Sequence, residues 1–368
     1  MAHQSREKYS ELVMEKLRAS IVLEDGVVFN NDYEGDPVSG SVKIPVRDDE
    51  VAVSDYDKAN GINLTTGSTS YAPMLIDKDK AVNELIDGFD AASVPGKLVA
   101  DRLDSAGYSL ARQMDTDGAT VLLAGATVMN VASLTKDNIY SNIVDIRTAM
   151  SKANIPDDGK RYLLAVPEVV ALLLKCPEFI RSTALGDTTV TNGTIGKIAG
   201  FIVKEWNDST ANLSMIAGHP KFATRARAWG VGVHVQDLSG SGNYIGACAV
   251  QGRKVYGHKV LRSVAIRAVY APGSLTVSLA AATGEGASGK TVATISAGNT
   301  GTTYAYKINP SSRATYDMTS SAYDGTSLTS GSTAISVSAG DVIEIVNLSS
   351  SKVKAVAYVT VTASDIAT

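Results

Sequence analysis

Apolar and polar positions repeat along this chain with two different periods, and the changes of period mark its segments. Residues 6–18 (REKYSELVMEKLR) place Tyr9, Leu12, Val13, Lys16 and Leu17 on one helical face, with Ser5 as the N-cap candidate. No other helix lies close in sequence, so that stripe must bury against a distant element or another chain. Residues 36–73 change character: Gly35, Pro37, Gly40, Pro45, Gly61, Gly67 and Pro73 punctuate short alternating runs. SVKIPV and EVAVSDY read as strands, with the charged run Arg47, Asp48, Asp49 and Glu50 between them. This two-stranded excursion has too few apolar residues for a core of its own. A loop that long inside a compact domain is functional or lies outside the domain.

A helical period returns over residues 93–123. Ser93 reads as its cap and Pro95 suits the first turn. Val99, Leu103, Ala106, Leu110 and Met114 recur at steps of three and four. Such a helix would be roughly 40 Å long. Gly107 and Gly118 count against an unbroken run, and Asp101, Arg102, Asp104, Arg112 and Asp115 are expected on the polar face. From 135 to 270 helix and strand signals mix: a helix over 135–153, the strand YLLAVP, the helix PEVVALLLKC and a Gly/Thr-rich loop at 186–197. The runs AGFIVKEW, LSMIAG, VHVQDL, KVYGHKVL and SVAIRAVYA follow, giving an α+β order without a βαβ repeat. At Pro272-Gly273 the composition shifts to Ser, Thr, Gly and Ala. About seven short strands then follow, the spacing of an immunoglobulin-like β-sandwich without its Cys and Trp hallmarks.

The length of 368 residues points to two or three domains, and 44% hydrophobic with 20% charged residues supports a sizeable core. The net charge is −4 with no basic tail or patch, so the phosphate attraction that dominates DNA binding is not on display. Cys176 and Cys248 stand alone in apolar surroundings, which suits a reducing compartment and excludes a disulfide framework. No apolar signal core follows the opening MAHQSREKYS, and no stretch reaches the length of a membrane span.

One motif matches by letter. Gly284 to Thr291 (GEGASGKT) fits the phosphate-binding loop G-x-x-x-x-G-K-[ST]. That loop works by aiming backbone N–H groups and a helix N-terminus at phosphate, whereas TVATISAG follows Lys290 with a strand's alternation. A hairpin turn is the expectation. His3, His219, His234 and His258 show no metal-ligand spacing, and no nucleophile elbow is present. Asp48-Asp49 and Asp157-Asp158 read as turns, and Trp206 and Trp229 as core packing. No catalytic, cofactor-binding or metal-binding residue is expected.

The order of segments resembles the major capsid protein of tailed bacteriophages, the Hong Kong ninety-seven fold. KRYLLAVPEVVALLLKCPEFI looks like the strand, Pro and helix of its axial domain, and TNGTIGKIAGFIVKEWN like the segment that follows. VYGHKVLRSVAIRAVYAP resembles the returning strands of the peripheral domain. The resemblance covers residues 1–272 and implies an N-arm at 1–35 and an extended loop at 36–75. It implies a peripheral domain with its spine helix at 76–130 and 256–272, an axial domain at 131–255, and the sandwich as an addition at 273–368. It further implies a structural subunit that joins copies of itself in hexamers and pentamers around double-stranded DNA. Other implied partners are a portal protein and, since the chain opens almost directly on the N-arm, a separate scaffolding protein. Assembly would take place in the bacterial cytoplasm, without a membrane. Lys43, Arg47, Asp48, Asp49, Glu50 and Lys58 on the extended loop are the expected intersubunit contacts. The sandwich would project outward, toward a cell-surface or carbohydrate ligand. A nanocompartment shell and, from another class, a nucleotide-binding enzyme are the competing readings.

Overall fold

The computed structural model describes residues 16, 18, 20–23, 26–34, 40–47, 50–51, 53–62, 66–94, 97–176, 196–240, 243–296 and 303–368. The helix expected at 6–18 and the loop expected at 186–197 lie almost wholly outside these residues, as do Asp48 and Asp49. The chain forms two compact units, Met1–Ala126 with His219–Ser263 and Thr127–Gly218 with Val264–Thr368.

The first unit holds β1 (Ser41–Val46), β2 (Ser70–Leu75), β3 (Lys78–Ile86), α1 (Gly88–Ser93) and α2 (Leu98–Gly125). After the first part of the second unit the chain returns to it with β9 (Ala223–Asp237) and β10 (Cys248–Val260). β3, β10 and β9 form an antiparallel sheet in that order. β1 and β2 form a separate hairpin, with Ser41 opposite Leu75 and Val46 opposite Ser70. The second strand of the excursion is therefore SYAPML and not EVAVSDY, whose described residues carry no strand.

α2 runs unbroken for 28 residues, about 42 Å. Ser93 ends α1, whose own cap is Asp87, and α2 begins instead after Lys97. Its two questioned glycines have different reasons. A Cβ on Gly118 would stand 3.0 Å from the Phe29 ring, so this glycine admits that ring and His258 against the helix. Gly107 meets nothing and simply costs about 1 kcal/mol of helix propensity relative to Ala. Ala106, Leu110, Met114, Gly118, Ala119 and Leu122 form the buried stripe. Asp115 is buried with them, contrary to the expected polar face. Toward the N-terminus of α2, Leu98, Val99 and Leu103 pack with Ala106 on Ile86, Val82, Val250 and Val233 of the sheet.

The second unit begins with β4 (Thr127–Asn130), α3 (Ile139–Lys152), β5 (Tyr162–Ala165), α4 (Pro167–Leu174), β6 (Lys197–Ile198), β7 (Phe201–Glu205) and β8 (Leu213–Gly218). With β11 (Arg267–Tyr270) these strands form a mixed sheet ordered β4-β11-β8-β5-β7-β6. β5 and β8 are buried along their whole length, as central strands covered on both faces are. Arg161, itself buried, closes the turn after α3 by donating to the carbonyls of Ile155 (2.5 Å) and Pro156 (2.9 Å) and to Ser151 (3.2 Å).

The unit ends in a β-rich module: β12 (Gly273–Ser274), β13 (Val277–Ala281), β14 (Lys290–Ile295), β15 (Thr303–Ile308), α5 (Ser320–Tyr323), β16 (Thr326–Leu328), β17 (Ala334–Ser336), β18 (Val342–Ser349) and β19 (Lys352–Thr360). Two sheets, β12-β19-β18-β15-β16 and β13-β14-β17, enclose Ala293, Leu328, Ile335, Ile343 and Ile345. Tyr323 and Ala314 cover the other face of the larger sheet, over Val346, Val353 and Val356. The module is seated on the mixed sheet of the same unit. Ala132 bridges Thr315, the Tyr316 amide donates to Val131 (3.0 Å), and Tyr316 stacks on Tyr270 at 5.6 Å.

The two compact units divide the chain at other residues than the expected peripheral and axial segments. Residues 219–255, expected with the axial segment, belong to the first unit, because β9 and β10 pair with β3. Residues 264–272, expected with the peripheral segment, enter the mixed sheet as β11, between β4 and β8. Alternation identifies a strand, but the partner strand lies more than a hundred residues away, and local pattern does not encode it.

Candidate assembly surface

The extended hairpin has a seated base and a presented tip. At the base, Ile44 of β1 and Met74 of β2 are buried against Ala226 of β9, with Tyr33, Val42 and Leu261 around them. The excursion thus has a foothold on its own unit that its sequence did not suggest. β2 comes this close to β10 because residue 257 is a glycine: a Cβ there would lie 2.2 Å from the Leu75 carbonyl oxygen. Lys259 donates to the Pro73 carbonyl beside it.

Beyond β1 the apolar residues face water. Val51 is 85% exposed, Val53 97% and Tyr56 71%. The far turn is ordered by Asp57, which accepts from the Ala59 amide (2.8 Å) and the Asn60 side chain (2.7 Å). Those two bonds, the Ala59 amide first, hold the Asp57 carboxyl below its ordinary value. Of the expected contact residues, Lys43 is exposed on β1 opposite Pro73, Arg47 follows β1, Glu50 precedes Val51, and Lys58 sits in the Asp57 turn. Asp48 and Asp49 lie outside the described residues. Among the described residues, Lys43, Arg47, Glu50 and Lys58 form no ion pair.

Two further exposed features belong to the sheet; no motif marked the first, and the second, Trp229, was expected in the core. The β9–β10 turn presents Tyr244 and Ile245. On the strands, Trp229 is 47% exposed, while Trp206 is buried as expected. The Arg253 guanidinium lies over the Trp229 ring at 5.4 Å and donates through Nε to Asp79 (2.8 Å). That bond holds the Asp79 carboxyl below its usual value.

Three buried polar groups of this unit fasten Val22, Leu23 and Phe29. Asp115 of α2 accepts from the amides of Val22 (2.8 Å) and Leu23 (3.2 Å). Arg225 of β9 donates to the Leu23 carbonyl (3.1 Å) and to His258 Nε2 (2.8 Å), and its guanidinium covers the Phe29 ring at 4.9 Å. Asn30 continues the attachment by bridging Thr224. Asp115, Arg225 and His258 are far apart in sequence, so no spacing marked them. Desolvation raises the Asp115 carboxyl above its ordinary value, opposed by the two amides and by Arg225 and Arg112.

The phosphate-loop motif folds as a turn between β13 and β14. Gly284, Gly286 and Gly289 all have positive φ, and Lys290 starts a strand. The Thr291 hydroxyl is spent on the Ala280 carbonyl (3.0 Å). The helix that a phosphate cradle requires is replaced by β14. Among the described residues no group of three or more His, Cys, Asp or Glu is arranged to hold a metal, and no helix is long and apolar enough to cross a membrane.

Comparison with known proteins gives one consistent result. The family model described as phage capsid protein matches residues 89–273, half of the chain. No curated protein matches. Among solved structures, a chain from Mycobacterium phage Che8 is 23% identical, with a TM-score of 0.60 over 72% of this chain and 96% of that one. A chain of the capsid of cyanophage P-SCSP1u is 14% identical, with a TM-score of 0.60 over 73% and 93%. One from the mature capsid of bacteriophage PhiM1 is 13% identical, with a TM-score of 0.58 over 73% and 92%. At these identities the structures establish a shared fold. They account for nearly the whole of those chains and leave about a quarter of this one over.

Proposed function

The chain belongs to the phage capsid protein family, and we propose that its extended hairpin, residues 36–75, is the strap by which one shell subunit holds the next. As a family member the protein is a structural subunit of a virion shell, which joins copies of itself. The observation that carries the strap is the contrast along the hairpin: Ile44 and Met74 are buried at the base, while Val51, Val53 and Tyr56 stand in water. Burying an apolar side chain of that size is worth about 1.5–3 kcal/mol, against about 0–1 for an exposed ion pair. The apolar tip therefore supplies the holding energy, and Lys43, Arg47, Glu50 and Lys58 set register. Asp48 and Asp49 share that assignment by sequence.

Reversal of Arg47 tests the strap. Arg47→Glu is expected to leave the melting temperature of the unassembled subunit nearly unchanged, since Arg47 is exposed and forms no ion pair among the described residues. Particle yield by sedimentation should fall, because a small loss repeats at every interface. A subunit that melts much earlier, or normal particle yield, would count against the strap.

The wider assembly follows from the same reading. Hexamers and pentamers close an icosahedral shell around double-stranded DNA in the bacterial cytoplasm, aided by a separate scaffolding protein and a portal protein. The family match favours this over a nanocompartment shell, and the turn at Gly284–Thr291 disfavours a nucleotide-binding enzyme. The family match ends at residue 273, where β12 opens the C-terminal module. That supports an immunoglobulin-like addition that projects outward toward a cell-surface or carbohydrate ligand. A chain ending at Pro272 is expected to form particles still, with a subunit that melts earlier because Tyr270 loses its stack, worth about 0.5–1.5 kcal/mol. If it never forms particles, the module is part of the shell wall.

A further inference from the structure

The far turn of the hairpin contains the pair Asn60-Gly61, and one residue engages both partners. Gly61 has a φ of +71°, the left-handed conformation that favours glycine, while a Cβ there would meet nothing. Backbone shape, and not crowding, therefore asks for glycine at this position. The Gly61 amide donates to the Asp57 carbonyl (2.8 Å). The Asn60 side chain donates through Nδ2 to Asp57 Oδ2 (2.7 Å). Asp57 and Asn60 are both exposed, so water reaches the turn.

An asparagine followed by glycine is open to deamidation, because no side chain shields the next amide nitrogen. In that reaction the Gly61 nitrogen gives up its proton and attacks Asn60 Cγ. The N–Cγ bond forms, the Cγ–Nδ2 bond breaks, and Nδ2 leaves with that proton as ammonia. Water then opens the cyclic imide at either carbonyl, leaving aspartate or isoaspartate. Asp57 opposes each early step. Its carbonyl occupies the N–H that must be lost, and the nitrogen anion would face that oxygen's lone pairs. Its carboxylate holds the carboxamide by the leaving end, in a charge-assisted bond. That carboxyl lies below its ordinary value, through the Ala59 amide first and the Asn60 side chain next, so it is ionised at neutral pH. A negative charge there also disfavours a second one on the attacking nitrogen.

We propose that Asn60 is a covalent modification site, open to deamidation, and that Asp57 guards it. The change is one-way: the product sets a carboxylate against Asp57 where the carboxamide had donated, and the turn cannot re-form that bond. The inference goes beyond the strap reading and holds whether or not the hairpin grips another copy.

Peptide mapping by mass spectrometry of the unassembled subunit, aged in mildly alkaline buffer, tests this. In the folded parent Asn60 is expected to convert several-fold more slowly than in the same chain kept in guanidinium. Asp57→Ala removes the carboxylate and keeps the backbone carbonyl. It should convert several-fold faster than the folded parent, at an unchanged melting temperature. Asp57→Asn, with an acceptor but no charge, should fall between the two. Equal rates in the folded parent and in Asp57→Ala would overturn the guard. Slower conversion in Asp57→Ala would make the carboxylate a base that assists the attack, and would overturn it as well. An Asn60 that stays intact even in guanidinium would remove the site.

Discussion

Gly257→Ala is expected to unseat the extended hairpin and abolish particle formation. The added methyl would lie 2.2 Å from the Leu75 oxygen, 3.1 Å from its carbonyl carbon and 3.2 Å from Ile76 Cα. All three are backbone atoms, so no rotamer change relieves the overlap. Either β2 leaves β10 or β10 distorts next to Ala226, its partner on β9 across from Gly257. In both cases Met74 and Ile44 lose the contact that anchors the hairpin. Overpacking at a site that can yield costs about 1–3 kcal/mol, and a backbone-on-backbone overlap belongs at or above the top of that range. Urea unfolding of the subunit should show the loss, with hydrogen exchange rising first at residues 41–46 and 70–75. Gly107→Ala is the matching control: its methyl meets nothing, and stability should hold or rise by about 1 kcal/mol. A Gly257→Ala subunit that unfolds and assembles as the parent does would show that the close approach of β2 and β10 is dispensable.

Asp115→Ala is expected to free residues 20–30 from the long helix. The amides of Val22 and Leu23 are buried and would lose their acceptor. An unmet buried donor costs about 1–3 kcal/mol, so the pair should cost about 2–4 after relaxation. The charge on Asp115 acts in the other direction. Burial raises its carboxyl above the unfolded value of 3.8. A group with a raised folded value contributes stability that is fully present below the unfolded value and is lost as pH rises through the folded one. Above the folded value the ionised carboxylate is therefore a burden that its hydrogen bonds offset. Asp115→Asn keeps an acceptor oxygen without the charge and should retain most of the stability at neutral pH. On acidification through the window between the two values, the parent should gain on Asp115→Asn. The check is urea unfolding of all three proteins at neutral pH and again within the window. An Asp115→Ala protein as stable as the parent would remove the anchor. A parent that loses ground to Asp115→Asn on acidification would reverse the sign argued here.

Much of this chain is legible from local pattern, because local pattern reports local energetics. The 3.6-residue period marked α2 and α3, the two-residue period marked most strands, and the composition break at Pro272-Gly273 falls where β12 begins. The alternation after Lys290 separated a hairpin from a phosphate loop. Side-chain period and turn chemistry are properties of neighbouring residues, and the sequence by itself determined them. What it left open are relations between residues far apart. The pairing of β3 with β10 joins Lys78 to Tyr256, and it decided that residues 219–263 serve the first unit. Asp115 adjoins an apolar stripe and has the charge of a surface residue; only the arrival of the Val22 and Leu23 amides makes its burial tolerable. EVAVSDY has a strand's alternation, but a strand also needs a partner's hydrogen bonds, and this chain supplies none to its described residues. Trp229 carries the hydrophobicity of a core residue, yet it lies on the β9 edge strand and stays half in water. Propensity and period set what each segment can become. Long-range pairing and burial, which depend on the whole chain at once, decided which faces were closed and which stayed in water.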